Sequence, residues 1–328
     1  MRAVILVVML VLGSGAILAR DPDFITKNSE GREFWLCFMK NFRESGQRDP
    51  QNRQEALRLQ LFLTSSYDAT VRIEIEEIQY DNTITIKANT VVNVQIPARA
   101  QVRAVETGER LAVHVTADTS ISVYGLNSRF QTTDTFLGLP VSVLGTEYRA
   151  VGYTKLASDL LSAVSIVATE DETEVTIVPT VATSTGRPAG RPFVARLRKG
   201  DVYTINARWE SIGSCDLTGT SITSNKKVAV FSGHNCAYVP PKIEACNHLV
   251  EQLPPVSAWG KHYYLGMLKE RSKYTYRVIA SQDQTKVFED SKLVAVMKAG
   301  EFYENLNLMR HVQVTADKPV LVAQFAQG

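Results

Sequence analysis

Thr223-Ser224-Asn225-Lys226-Lys227-Val228-Ala229-Val230-Phe231-Ser232-Gly233 reads as a polar turn running into a β-strand. Its β-branched and aromatic residues suit a pleated, half-buried surface. The phrase has two counterparts. Thr116-Ala117-Asp118-Thr119-Ser120-Ile121-Ser122-Val123-Tyr124-Gly125 lies before it, and Thr315-Ala316-Asp317-Lys318-Pro319-Val320-Leu321-Val322-Ala323-Gln324-Phe325 lies after it. Pro319 opens its strand, where a missing N–H is tolerated. A phrase that returns twice in one chain marks an internal repeat, and the repeat decides the fold.

Working outward, each closing phrase has a matching opening phrase. Gly31-Arg32-Glu33-Phe34-Trp35-Leu36, Gly145-Thr146-Glu147-Tyr148-Arg149-Ala150 and Gly260-Lys261-His262-Tyr263-Tyr264-Leu265 lie 114 and 115 residues apart. Behind each comes a strand, a polar turn and a second strand, which reads as a β-hairpin. The three are Leu59–Ile73, Val164–Ile177 and Tyr276–Phe288. A middle strand follows at Asn93–Pro97, Tyr203–Asn206 and Phe302–Leu306. Helical periodicity is scarce, with Pro50 to Arg58 the best candidate and Leu156 to Ser162 a weaker one. The expectation is an all-β chain of three tandem β-sandwich-like repeats with long connectors. The units are 31–144, 145–259 and 260–328, the first two including their connectors. A single propeller-like or interlocked β array is the alternative.

Composition supports a packed core: 45% of the 328 residues are hydrophobic. The 36 basic and 34 acidic residues leave a net charge of +2 without a charge block, so no nucleic-acid partner is expected. Met1-Arg2, the apolar run Ala3 to Leu12 and the small residues up to Ala19 have the layout of a secretory signal peptide, 1–19, followed by a lead segment, 20–30. No second apolar run of spanning length follows, so the mature chain is expected to be secreted, with no membrane span after cleavage.

The connectors 126–144 and 234–259 exceed the usual loop length. They hold Phe130, Phe136, Tyr238, Leu249 and Trp259, which argues against disorder. The second contains His234-Asn235-Cys236 and Cys246-Asn247-His248. Two Cys and two His invite a zinc reading, but one residue between each pair is poor spacing for it. Secretion favours oxidation, so a Cys236–Cys246 disulfide is expected, and the two histidines then become surface or hydrogen-bonding residues. Cys37 reads as a buried thiol. A Cys37–Cys215 bridge would have to span units. The connector's length, aromatics and staple make it the candidate partner-binding face, through His234, Tyr238, His248, Glu251, Gln252 and Trp259. The other expectation for the connectors is that they wrap over their own units and seal the junctions.

Catalytic motifs are lacking. There is no Gly-x-Ser-x-Gly beyond the leader and no His-Glu-x-x-His. No enzyme activity, metal or cofactor is expected.

Asp216-Leu217-Thr218-Gly219-Thr220, Val228 to Cys236, and Cys246-Asn247-His248-Leu249-Val250-Glu251-Gln252-Leu253-Pro254-Pro255 closing at Trp259-Gly260-Lys261 stand in an order that resembles the IgG Fc-binding N-terminal domain family. The likeness is strongest over residues 200–265 and weaker over 31–328. It implies a secreted, mucus-associated binding or adhesive module with an extracellular protein or glycoprotein partner. Fc binding belongs to the mammalian member. With four cysteines, this chain holds none of the cysteine-rich von Willebrand D assemblies that follow there. The competing expectation is a structural spacer of an extracellular matrix or envelope. The sequence stops at Gly328, after the third closing strand, without a third connector.

Overall fold

The computed structural model describes residues 28–42, 57–129, 132–154, 156–210, 215–243 and 245–327. The leader, most of the lead segment, nearly all of the candidate helix at Pro50 to Arg58, and Phe130 lie outside them. Unit 1 comprises β1 (Gly31–Leu36), β2 (Arg58–Thr64), β3 (Ala69–Ile75), β4 (Tyr80–Ile86), β5 (Val91–Ile96), β6 (Gly108–Glu109), β7 (Val113–Arg129) and β8 (Thr132–Leu137). Unit 2 comprises β9 (Gly145–Arg149), β10 (Ser162–Ala168), β11 (Thr173–Val178), β12 (Phe193–Leu197), β13 (Val202–Asn206), β14 (Ser221–Tyr238) and β15 (Cys246–Gln252). Unit 3 comprises β16 (Gly260–Leu265), β17 (Tyr274–Ala280), β18 (Thr285–Glu289), β19 (Lys292–Met297), β20 (Phe302–Leu308) and β21 (Val312–Ala326). The chain is all-β, in three sandwich-like units built on three sheets.

Period-2 alternation produces these strands. In β3, Val71, Ile73 and Ile75 point inward while Thr70 and Arg72 face solvent; in β2, Leu59, Leu61 and Leu63 are buried. Among the described residues no helix is long and apolar enough to cross a membrane. Leu156 to Ser162 is not helical: Ala157 and Leu160 bridge across a tight turn, and Ser162 opens β10.

The hairpin expectation fails in all three units, for one reason. β2 and β3 do not pair with each other. They lie end to end along one edge of β7, β2 on Ser122–Ser128 and β3 on His114–Ala117. β10 and β11 do the same on β14, and β17 and β18 on β21. The polar turn between them is a corner rather than a reversal. Each closing strand is long enough to serve both layers of its sandwich, and its polar stretch is where it passes from one layer to the other. The hairpin that recurs in all three units is instead β3–β4, β11–β12 and β18–β19.

The units share their interiors. The core of unit 1 takes in Val167, Val202, Ala229, Phe231 and Val250 from unit 2. Phe231 meets Phe136 edge-on, with ring centroids 5.2 Å apart. β6 of unit 1 completes the sheet of unit 2 by pairing with β13. Between units 2 and 3 the joint combines apolar packing, with Ile279 in the unit 2 core and Phe325 against Tyr153, with an ionic cluster. Arg277 on β17 is 1% exposed. Its Nη1 donates to Asp216 Oδ2 (2.6 Å), Thr218 Oγ1 (2.9 Å) and the Gly152 carbonyl (2.9 Å), and its Nε to Glu304 (2.8 Å). The guanidinium lies between the rings of Tyr153 and Phe302, 4.3 and 4.4 Å from their centroids. Gly219 completes the joint. Its φ of +87° suits glycine, and a Cβ there would sit 2.0 Å from the Gly300 carbonyl oxygen of unit 3.

Candidate functional site

The second connector is not a loop laid over the surface. Residues 228–237 of β14 are buried without a break, so this stretch is covered on both faces; most of its side chains are small or apolar, and His234 and Asn235 are buried polar ones. β15 turns back and pairs with it from Phe231↔Gln252 to Tyr238↔Cys246. At Gly233 a Cβ would stand 1.8 Å from the Leu249 carbonyl oxygen, so the close approach of β15 requires glycine there. The first connector behaves likewise, with β8 pairing back on Tyr124–Arg129 of β7.

A Cys236–Cys246 disulfide staples the turn end of this hairpin, as the sequence led us to expect. Closing a loop of separation 10 contributes about 3 kcal/mol in the chain-entropy treatment. The two cysteine sulfurs are bonded to each other, and among the described residues no group of three or more His, Cys, Asp or Glu is placed to hold a metal. Cys37 and Cys215 are both buried, and no bridge joins them. Burial pushes the Cys37 thiol pKa up.

Four of the six candidate face residues are interior, which corrects the expectation for their side chains. His234 and His248 are 0% and 1% exposed, rather than surface residues. His234 Nδ1 accepts the Cys236 N–H at 3.0 Å, while His248 Nδ1 donates to the His234 carbonyl at 3.0 Å. Burial drives the pKa values of the two rings down to about 3 and about 4. Their contribution to stability is therefore present above the unfolded value of about 6.5 and fades as pH falls toward those lower values. Gln252 accepts the Leu139 N–H at 2.8 Å and so ties the two connectors together. Trp259 packs in the unit 2 core and donates from Nε1 to the Pro254 carbonyl. These four position the hairpin from within. Tyr238 is half-buried, Glu251 is exposed, and Pro241 and Lys242 are exposed at the tip.

Beneath the hairpin, between β15 and the end of β21, lies a cleft of about 600 Å³. Asp134, His248, Glu251, Gln252, Gln324 and Phe325 are among its walls. Asp134 accepts the backbone N–H groups of Val250 and Thr135, both at 2.9 Å. Burial raises its pKa to about 6 against those bonds. Glu251 is exposed by area yet lines the cleft, so the walls crowd its carboxyl only in part. That burial, with Asp134 beside it, raises its pKa to about 7. The carboxyl of Glu251 thus favours folding most when protonated, below the unfolded value of about 4.3, and this contribution is lost as pH rises toward about 7. Because solvent still reaches the exposed Glu251 side chain and screens most of this effect, Glu251→Gln, which stays neutral, should match the parent Tm near pH 4 and exceed it by only about 1–2 °C near pH 8. Parallel Tm curves over that range would show that the cleft does not strain the carboxylate.

Two features escaped sequence reasoning. Asp134 carried no signal in a polar stretch. Arg277 did carry one: a lone cation inside the apolar strand Tyr276-Arg277-Val278-Ile279, buried throughout, needs partners from elsewhere.

The family model described as IgGFc binding protein matches residues 134–328, and this chain belongs to that family. The chain is also 29% identical over 287 residues to the human IgGFc-binding protein, covering 84% of this chain. It spans 5% of the length of that relative. No solved structure matches it significantly.

Proposed function

We propose that the chain is a secreted, non-enzymatic binding module that recognises an extracellular protein or glycoprotein through the stapled tip of the β14–β15 hairpin. The observation that carries this reading is the disulfide at Cys236–Cys246, which holds Tyr238, Pro241, Lys242 and Ile243 at the surface on a preorganised turn. A rigid tip binds with less ordering cost than a free loop. The disulfide also supports an oxidising, extracellular setting. The human relative's name supplies the first partner to try, the Fc portion of IgG.

The test replaces Pro241-Lys242-Ile243 by Gly-Ser-Gly, leaving both cysteines in place. Binding to immobilised Fc, to a mucin glycoprotein and to its released glycans is then measured. At least a tenfold loss toward one of them is expected. Unchanged binding removes the tip as the face. An intact chain that binds none of the three and scatters as an elongated particle supports the spacer reading instead.

A further inference from the structure

In unit 1, β5, β2, β7 and β8 lie side by side in that order. Their inward residues, Leu61, Val94, Val123 and Phe136 among them, belong to the core of unit 1. Their outward residues are open to solvent, with Val91 66% and Tyr124 44% exposed. At the centre of this outer face Phe62 stands opposite Tyr124, with Asn93 on one flank and Leu137 on the other. The neighbouring row runs Gln95, Gln60, Leu126 and Thr135. Among the outward positions of these four strands, all of them described, Arg58 alone is charged, and it lies at a corner beside Ser128.

The same face has a defined use in the other two units. By register, the positions of Phe62, Asn93 and Tyr124 are taken in unit 2 by Val167, Val202 and Ala229, all buried in the core of unit 1. In unit 3 the positions of Phe62 and Tyr124 are taken by Ile279 and Leu321, which pack in the core of unit 2. Where this face docks on another unit, its central row is aliphatic. Unit 1 departs from that pattern. It sets an aromatic pair at the centre and surrounds it with amides and hydroxyls.

We infer that this face binds a neutral, β-linked glycan chain laid across the strands, with sugar rings stacked on Phe62 and Tyr124 and sugar hydroxyls met by Gln60, Asn93 and Gln95. It is a second site, separate from the hairpin tip proposed above. The C–H face of a pyranose is an apolar surface that packs on an aromatic ring, while each hydroxyl both donates and accepts. A carboxamide also does both, through different atoms. These amides are already held in place. Gln60 Nε2 donates to Asn93 Oδ1 at 3.1 Å, and Gln95 Nε2 donates to the Leu59 carbonyl at 2.8 Å. Gln60 Oε1, Asn93 Nδ2 and Gln95 Oε1 are left for a ligand, and groups fixed in advance lose little freedom on binding. The face has no pocket, which suits an extended ribbon. Neighbouring strands about 4.8 Å apart space its side chains at roughly the length of one sugar residue. The near absence of charge selects a neutral glycan over an acidic one, since no cluster of cations is present to meet carboxylates or sulfates.

The probes are cellotetraose and chitotetraose, titrated into the chain and followed by amide NMR. Binding of at least one at about 0.1–1 mM is expected, with shifts along β5, β2, β7 and β8. The affinity should hold between about 0.05 and 0.5 M salt, because a neutral ligand gives salt nothing to screen. Tyr124→Ala should weaken binding at least tenfold, and Tyr124→Phe, which keeps the ring, less than threefold. Gln60→Ala with Asn93→Ala should also lose at least tenfold, with Tm showing that each variant is folded. Replacing 241–243 should leave sugar binding unchanged, so failure at the tip and failure at this face are separate results. The inference is overturned if neither tetrasaccharide shifts these strands at about 10 mM, or if Tyr124→Ala binds as tightly as the parent. It is also overturned if the sugars do not bind while Tyr124→Ala abolishes binding to a protein, which would make the face a protein-docking surface.

Discussion

Arg277→Ala should destabilise the folded chain by about 3–5 kcal/mol in denaturant titration. The change removes the cation that Asp216 and Glu304 share and empties the space between Tyr153 and Phe302. The lower part of that range is favoured, because Asp216 and Glu304 retain 12% and 22% of their side-chain exposure and water compensates them in part. The mechanism can be separated from loss of packing. Arg277→Met alone should lose nearly as much as alanine, since the unpaired carboxylates dominate. Combining Arg277→Met with Asp216→Asn and Glu304→Gln should recover a large share, as buried ion clusters replaced whole by neutral groups often are. If the triple variant is no better than Arg277→Met, the cost lies in packing and the ionic account of this joint fails.

Phe231→Ala should cost about 3–5 kcal/mol, the usual range for deleting a fully buried phenylalanine side chain. The distinctive expectation is where the loss appears. Phe231 belongs to β14 of unit 2, yet its ring sits in the core of unit 1 against Phe136. A double-mutant cycle with Phe136→Ala should give a coupling of about 0.5–1.5 kcal/mol, the value of an edge-to-face pair. Zero coupling would mean that the two rings are neighbours without mutual dependence.

Much of this architecture was legible in the sequence because it rests on local periodicity. The openings at Gly31, Gly145 and Gly260 and the closing strands announce themselves by alternation and by recurrence. Pairing was less legible. Leu59–Thr64 and Ala69–Ile75 look like a hairpin because a short polar turn joins two alternating strands, and nothing local distinguishes a reversal from a corner between layers. The distinction is made by the length of β7, whose two halves pair with the two strands in turn.

The site divides along the same line. The Cys236–Cys246 staple followed from compartment and spacing. The placement of His234, His248, Gln252 and Trp259 did not, because polar and aromatic residues in a long connector read as surface unless the connector is known to be a strand wedged between units. Backbone groups meet one polar atom of each, as the Cys236 N–H does for His234 Nδ1 and the Leu139 N–H for Gln252 Oε1, while Nε2 of both is left buried without a partner. Asp216 and Gly219 sit in the segment that carries the family likeness, and the structure gives that segment a joint-forming role between units 2 and 3.

The central claim is that three repeated units form one body through shared cores and the Arg277 joint. Native-state hydrogen exchange tests it most directly, read at the interior amides of β7, β14 and β21 in the parent chain and in Arg277→Ala. A single opening free energy common to all three strands, lowered together by the substitution, is the predicted result. Exchange of β21 at a lower free energy in the parent, with β7 unaffected by Arg277→Ala, would contradict it and return the units to independent domains.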